Sequence, residues 1–219
     1  MLDGPRVSPR SGKLATSLVV LLHGYGADGR DLIDLADYWA PLVPDAAFVS
    51  PHAPEPLAIG PVGRQWFGYV ERDDRERWSG VQAAHPALDA FLDAELARLG
   101  LPGSRLALVG FSQGTMMALH TGLRRKVAPA GIVGFSGIHV LAPERAMAEF
   151  DAQIASRPPV LLIHGDLDQV VPPVALPRAV ESLQARGIAV RAHLSNGLAH
   201  GIDRTGLTLA GSFLAEILA

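Results

Sequence analysis

A chain of 219 residues, 48% of them hydrophobic and only 19% charged, is long enough to bury one sizeable core and too apolar to be disordered. A formal net charge of -3, with arginines scattered and no basic stripe interleaved with aromatics, gives no electrostatic case for a nucleic-acid partner. Cysteine is missing from the sequence, which excludes disulfides, thiolate chemistry and cysteine-held zinc.

Residues 1–12 read as a loose lead-in with a short edge strand around Arg6 to Pro9, because proline is tolerated at edges and not inside a ladder. Pro5 and Pro9 interrupt Met1 to Ser17, leaving no apolar stretch of signal-peptide length. Leu18 to Leu22 is too short to span a membrane. The expectation is a soluble, cytoplasmic protein with no stable membrane insertion. Leu18 to Leu22 itself reads as a strand buried on both faces, as parallel strands are. It runs into the turn His23-Gly24-Tyr25-Gly26-Ala27-Asp28-Gly29, where flanking glycines let the backbone approach a ligand and make the Tyr25 N–H a candidate donor to an oxyanion. Neither phosphate-cradling glycine pattern occurs there.

A helix is expected from Asp31 to Trp39 and a strand from Ala46 to Ser50. Residues 51–79 then show no clear period, and a connection this long suggests a lid or substrate loop. Leu57, Ile59, Trp66 and Phe67 are expected to help line an apolar pocket, against the alternative that the aromatics pin the loop to the body. The charged run Glu71 to Arg77 reads as a solvated face. Leucines and a phenylalanine spaced three and four apart make Pro86 to Leu99 an amphipathic helix, with proline at its first turn and His85 at the surface.

Leu106 to Phe111 is an apolar run of strand character that enters Gly110-Phe111-Ser112-Gln113-Gly114, after which helix-forming residues continue to about Arg124. This is G-x-S-x-G between a strand and a helix, the nucleophile elbow. Side chains at positions 110 and 114 would collide with neighbouring backbone, so the turn presents a strained Ser112 and aims the Gln113 N–H from a helix N-terminus. Gly134-Phe135-Ser136-Gly137 is a near miss, and Ser136 reads as an ordinary strand-end residue.

Strands follow at Ala130 to Phe135, Pro159 to Ile163 and Ala189 to Leu194, with helices at Pro143 to Ala155, Pro173 to Arg186 and Arg204 to Leu218. Their alternation argues for a mainly parallel, twisted sheet with helices on both faces, in one domain over residues 1–219. Two aspartates, Asp166 and Asp168, follow a strand end; Asp168 lies further past the sheet edge, and Asp166 suits a turn cap. Of 8 histidines, only His200 sits on a loop after the last strand, ahead of the final helix. Ser112, Asp168 and His200 thus stand in the order nucleophile, acid, base. Leu198, on the same loop, is a further pocket candidate.

With those residues placed, the chain resembles the phospholipase/carboxylesterase family of α/β-hydrolases, which includes the acyl-protein thioesterases. Four ordered motifs carry the resemblance: H-G-Y-G-A-D, G-F-S-Q-G, H-G-D-L-D-Q-V-V-P and G-L-A-H-G-I. It implies Ser112 as nucleophile, Asp168 as acid in preference to Asp166, His200 as base, and Tyr25 and Gln113 as backbone oxyanion donors. It also implies an α/β-hydrolase fold with no large cap domain, a short N-terminal portion of the sheet, small-molecule ester substrates, no cofactor or metal, and homodimers among some members. Short- to medium-chain carboxylic esters are the expected substrates, with acyl thioesters or lysophospholipids as the alternative on the same machinery. An α/β-hydrolase fold kept only as a non-catalytic binding module is the rival of another class.

Overall fold

The computed structural model describes residues 2–57 and 62–219, so Ile59 lies outside the described residues. Its strands are β1 (Arg6–Val7), β2 (Ser17–Leu22), β3 (Ala46–Val49), β4 (Glu55–Pro56), β5 (Arg64–Gln65), β6 (Leu106–Phe111), β7 (Gly131–Phe135), β8 (Val160–Gly165) and β9 (Val190–Ser195). The helices are α1 (Arg30–Ile33), α2 (Leu35–Trp39), α3 (Asp74–Leu99), α4 (Gln113–Gly122), α5 (Met147–Ala152), α6 (Ala175–Gln184) and α7 (Arg204–Leu218). Seven strands form one sheet in the order β1-β3-β2-β6-β7-β8-β9, while β4 and β5 pair separately. Within the seven-stranded sheet, among the described residues, only β1 runs antiparallel, on β3, and β4 and β5 are antiparallel to each other.

The central strands are apolar throughout because both faces are covered. Leu18, Val20 and Leu22 of β2, with Leu106 and Leu108 of β6, face a core shared with α3, α4, α5 and α6. Their alternates Val19, Leu21, Ala107 and Val109 face a second core with α1, α2 and α7. This period-two division is what a strand between two helical layers imposes. Among the described residues no large cap is inserted, and the arrangement is the α/β-hydrolase fold expected above. The chain pairs β3 on one side of β2 and then crosses to set β6 on the other. The strand order therefore reverses between β2 and β6, and a cleft outside their carboxyl ends is where such sheets bind ligands.

Several boundaries differ from expectation for identifiable reasons. The helix expected over Asp31 to Trp39 is divided at Asp34 into α1 and α2. The helix expected to begin at Pro86 begins at Asp74, so the charged run is largely its first turn, with Pro86 in the interior. Asp73 caps it by accepting from Glu76 N at 2.7 Å, and the Glu76 carboxylate accepts from Val70 N and Arg72 N at 2.8 and 2.7 Å. Pro86 is tolerated because it and Gln82, whose carbonyl it cannot receive, lie on the exposed side, where water can satisfy that carbonyl. His85, expected at the surface, is half-buried, with Nδ1 3.1 Å from Thr121 Oγ1. Ser136 directly follows β7, at φ +46°, a positive φ uncommon for a residue other than glycine.

Candidate active site

β6 delivers Ser112 into a turn where it adopts φ 53° and ψ -115° at the N-cap of α4. A Cβ on Gly110 would overlap the backbone of Gly114 and Thr115, and one on Gly114 would overlap Leu22 O. Only glycine at both sites lets strand, turn and helix pack this closely. The strained serine is over-determined by its surroundings: its N–H donates to Phe135 O at 2.9 Å, and its carbonyl accepts from Thr115 N at 3.0 Å. The Thr115 hydroxyl adds a further tie, within reach of Gly110 O at 2.8 Å and Phe135 O at 2.9 Å. Ser112 is 9% exposed, and its hydroxyl makes no hydrogen bond among the described residues.

β8 and β9 bring the other two candidates to the same edge. His200 Nδ1 lies 2.7 Å from Asp168 Oδ2, which places the Nδ1–H on the carboxylate and leaves Nε2 free to accept. Asp168 is 3% exposed, and its Oδ1 accepts from Val170 N and Val171 N, both at 2.9 Å. Burial works to raise the Asp168 pKa, but the hydrogen bonds from His200 and the two amides outweigh it, so the carboxyl lies below its ordinary value. The His200 ring packs on Phe111, the neighbour of Ser112, with centroids 4.9 Å apart. His200 and Asp168 are thus joined directly. No hydrogen bond joins the Ser112 hydroxyl to that imidazole among the described residues; the His200 ring reaches the serine's chain neighbour, Phe111.

Asp166 takes a different part from Asp168, as the sequence reading expected. It caps not its own turn but the His200 loop, accepting from Gly197 N at 2.6 Å, while Leu167 N donates to Leu198 O at 2.9 Å. His164, near the end of β8, donates from Nε2 to Val171 O at 2.9 Å and lies 3.4 Å from Asp168 Oδ2. A second imidazole therefore borders the buried carboxylate.

On the other side of Ser112, the N–H groups of Tyr25 and Gln113 have no hydrogen-bond partner among the described residues. That of Gln113 opens the 10-residue helix α4, where partial positive charge gathers. Gly24 sits against the serine, since a Cβ there would be 3.4 Å from Ser112 Cβ. The loop carrying Tyr25 is held by a strand-like exchange: Gly26 N donates to Arg64 O at 2.9 Å and Arg64 N to Ala27 O at 2.8 Å.

The Gln113 side chain, which drew no attention in the sequence, fixes the segment that follows. Its Oε1 accepts from Trp66 N and its Nε2 donates to Phe67 O, both at 2.9 Å. The Trp66 indole donates to His23 O at 3.0 Å, and His23 Nε2 accepts from Ala53 N at 3.0 Å. Burial holds His23 below the ordinary histidine pKa, so it serves as a neutral tether. Trp66 and Phe67, expected as pocket walls, are 1% and 3% exposed and belong to the core. They pin the loop. Leu57 and Leu198 are half-buried, Leu57 being held by its N–H on Gly63 O at 3.0 Å.

A cleft of about 940 Å³ opens between the start of α3, residues 138–147 and the start of α6. Its walls include Ile138, next to Gly137, where a Cβ would come within 2.9 Å of Ser112 O, and Pro172, next to Val171 on Asp168. None of Ser112, Asp168 and His200 is among its lining residues; Ile138 and Pro172 link the cleft to them as chain neighbours of Gly137 and Val171. No group of three or more metal-ligating side chains is gathered among the described residues.

Comparison with known proteins follows the same lines. Esterase YpfH of Escherichia coli K12 is 29% identical over 198 residues, covering 90% of this chain and 82% of that protein. Acyl-protein thioesterase 1 of Schizosaccharomyces pombe is 34% identical over 164 residues, 73% of this chain and 71% of that one. The crystal structure of esterase PE8 superposes with a TM-score of 0.92 at 50% identity, covering 99% of both chains. The phospholipase/carboxylesterase family model matches residues 4–218, and the chain belongs to that family.

Proposed function

We propose that this chain is a serine carboxylesterase that hydrolyses short- to medium-chain carboxylic esters through an acyl-enzyme. The observation that carries the reading is the 2.7 Å bond between His200 Nδ1 and Asp168 Oδ2, taken with a strained serine with an uncommitted hydroxyl. Asp168 fixes the tautomer that leaves His200 Nε2 able to accept the Ser112 proton. As Ser112 Oγ bonds to the ester carbon, negative charge moves to the carbonyl oxygen, where the free N–H groups of Tyr25 and Gln113 stabilise it. The carbon–alkoxy bond then breaks, and the alcohol leaves with the proton from His200. Water repeats the sequence on the acyl-enzyme: it loses a proton to His200, its oxygen bonds to the carbonyl carbon, and Ser112 departs protonated. The bond from the Ser112 hydroxyl to His200 is not made in this structure; in unliganded enzymes such a bond often tightens only when substrate is present.

The apolar wall of the cleft, which includes Ile138, supplies room for an acyl chain, and its size falls within the range of small-molecule sites. The likeness to an acyl-protein thioesterase supports a second reading on the same groups, in which a thiolate leaves instead of an alkoxide. The same reading keeps the enzyme soluble in the cytoplasm and active without a cofactor; no helix among the described residues is long and apolar enough to cross a membrane. Labelling with a fluorophosphonate followed by an ester and thioester panel tests the proposal. Ser112 should carry the label, and Ser112→Ala should lose both labelling and turnover. Hydrolysis of p-nitrophenyl acetate by Ser112→Ala at the native rate would end it, and a uniform preference for thioesters would select the second reading.

A further inference from the structure

We propose that the cleft walled by Ile138 and Pro172 selects esters whose apolar chain ends in an anionic group, read by Arg75, Arg145 and Arg178. The proposal rests on the hydrolase reading above and adds the chemistry of the far end of the substrate. Most arginines of this chain are committed. Arg6, Arg77, Arg98, Arg125, Arg186 and Arg191 pair with carboxylates, and Arg64, Arg105 and Arg157 donate to backbone carbonyls. Arg75, Arg145 and Arg178 are exposed, have no side-chain partner among the described residues, and all line this one cleft.

The remaining charges of the cleft leave that excess standing. Asp74 is taken up by Arg77 at 2.7 Å, and Arg77 also donates to Tyr69 OH at 2.7 Å. Glu144 is the one rim carboxylate without a partner among the described residues, so three uncommitted cations face one uncommitted anion. His139, in the cleft wall, adds no charge at neutral pH, because burial pushes its pKa down to about 3. A local positive rim on a chain of formal net charge -3 is therefore confined to the arginines.

The distribution of polarity decides what kind of anion fits. Charge sits on the exposed rim, while Ile138, Val140, Leu141 and Met147 form an apolar floor. An exposed ion pair changes affinity by only a factor of about two to five, too little to hold a small free anion against salt and water. Added to burial of an apolar chain, the same factors become selectivity: three of them give about tenfold or more for a chain ending in a negative charge over its neutral counterpart.

The anion could belong to the acyl or to the alcohol half, and two substrate pairs separate these sources. Mono-4-nitrophenyl suberate against 4-nitrophenyl octanoate reads the acyl half. The acetate ester of 8-hydroxyoctanoate against octyl acetate reads the alcohol half. In one pair the ratio of kcat/KM should favour the anionic ester by about tenfold, falling toward one in R75Q/R145Q/R178Q and in high salt. Native-like circular dichroism would verify the fold of that variant, and Arg178→Gln alone should give a partial loss. A direct measurement independent of turnover uses Ser112→Ala: calorimetric titration should show octanoate binding more tightly than octanol, and the three added substitutions should remove the difference. The absence of an anionic preference in both pairs and in the titration, or its survival in the triple variant, would overturn the proposal. Loss of all ester turnover with the binding preference intact would instead fall on the hydrolase reading.

Discussion

Gln113 joins two functions that can be separated by substitution. Its backbone N–H points free at the start of α4, while its side chain, 1% exposed together with the rest of the residue, bridges Trp66 N and Phe67 O. Gln113→Ala keeps the backbone amide and strands two buried backbone groups, each at about 1–3 kcal/mol. A loss of ~3 kcal/mol lowers Tm by about 6–12 °C in a chain of this size. The consequence reaches the oxyanion site because residue 64, two before Trp66, exchanges hydrogen bonds with residues 26 and 27, which flank the Tyr25 turn. Displacing the Tyr25 N–H should therefore lower kcat by about 10- to 100-fold, less than the 10²–10³ expected for deleting a donor outright. Gln113→Glu keeps the acceptor for Trp66 N but sets a buried carboxylate against Phe67 O, so its Tm should fall at least as far as that of Gln113→Ala. Thermal denaturation with steady-state p-nitrophenyl ester kinetics checks both halves. A fallen Tm with native kcat would refute the coupling to Tyr25, and a native Tm would refute the clamp itself.

Further consequences follow from other parts of the site and core. Gly114→Ala would push a methyl into Leu22 O, and should cost at least about 3 kcal/mol in urea unfolding or prevent folding; native stability would refute the steric account of the elbow. Asp166→Ala should leave Tm nearly unchanged yet lower kcat by about 10- to 100-fold, because Gly197 loses its anchor and His200 drifts; unchanged kinetics would show that Asp166 does not position that loop. Asp168 has a depressed folded pKa, so its stabilisation is fully present above the ordinary carboxylate range near pH 4 and fades as pH falls through the folded value. The stability gap between wild type and Asp168→Asn should shrink over that window, and a gap that widened would reverse the sign. His120 and His139 are buried and neutral, their pKa values pushed down to about 2 and about 3 by desolvation, so the unfolded chain binds their protons first. Stability should therefore fall as pH drops below about 6.5, by about 1.4 kcal/mol per pH unit for each of the two. Urea titrations between pH 7 and pH 4.5 would measure the slope, and a flat profile would mean that both rings take protons in the folded state.

Features governed by contacts between near neighbours were legible in the letters. The elbow was readable because the collisions of a Cβ at 110 or 114 are with backbone that a strand-to-helix turn must bring close. The order of strands and helices followed from apolar periodicity, and α7 was placed at its observed bounds from Arg204 to Leu218. The start of α3 was missed: Glu71 to Arg77 read as a solvated face and the proline at 86 as a helix start, whereas the structure caps the helix through Asp73 and Glu76. Tolerance of that proline depends on which side of the helix meets solvent.

Long-range decisions were not available from any local pattern. Trp66 and Phe67 look the same in sequence whether they line a pocket or close a core. What placed them in the core was the side chain of Gln113, 47 and 46 positions away. The sequence favoured Asp168 over Asp166 as the residue further past the sheet edge, but only the path of the loop from β9 decides that Asp166 meets Gly197 N instead of capping its own turn. Residue order constrains backbone sterics and burial over a few positions. Which polar groups share a buried site is settled by packing between distant segments, because there an unpaired donor or acceptor is too costly to leave unmatched.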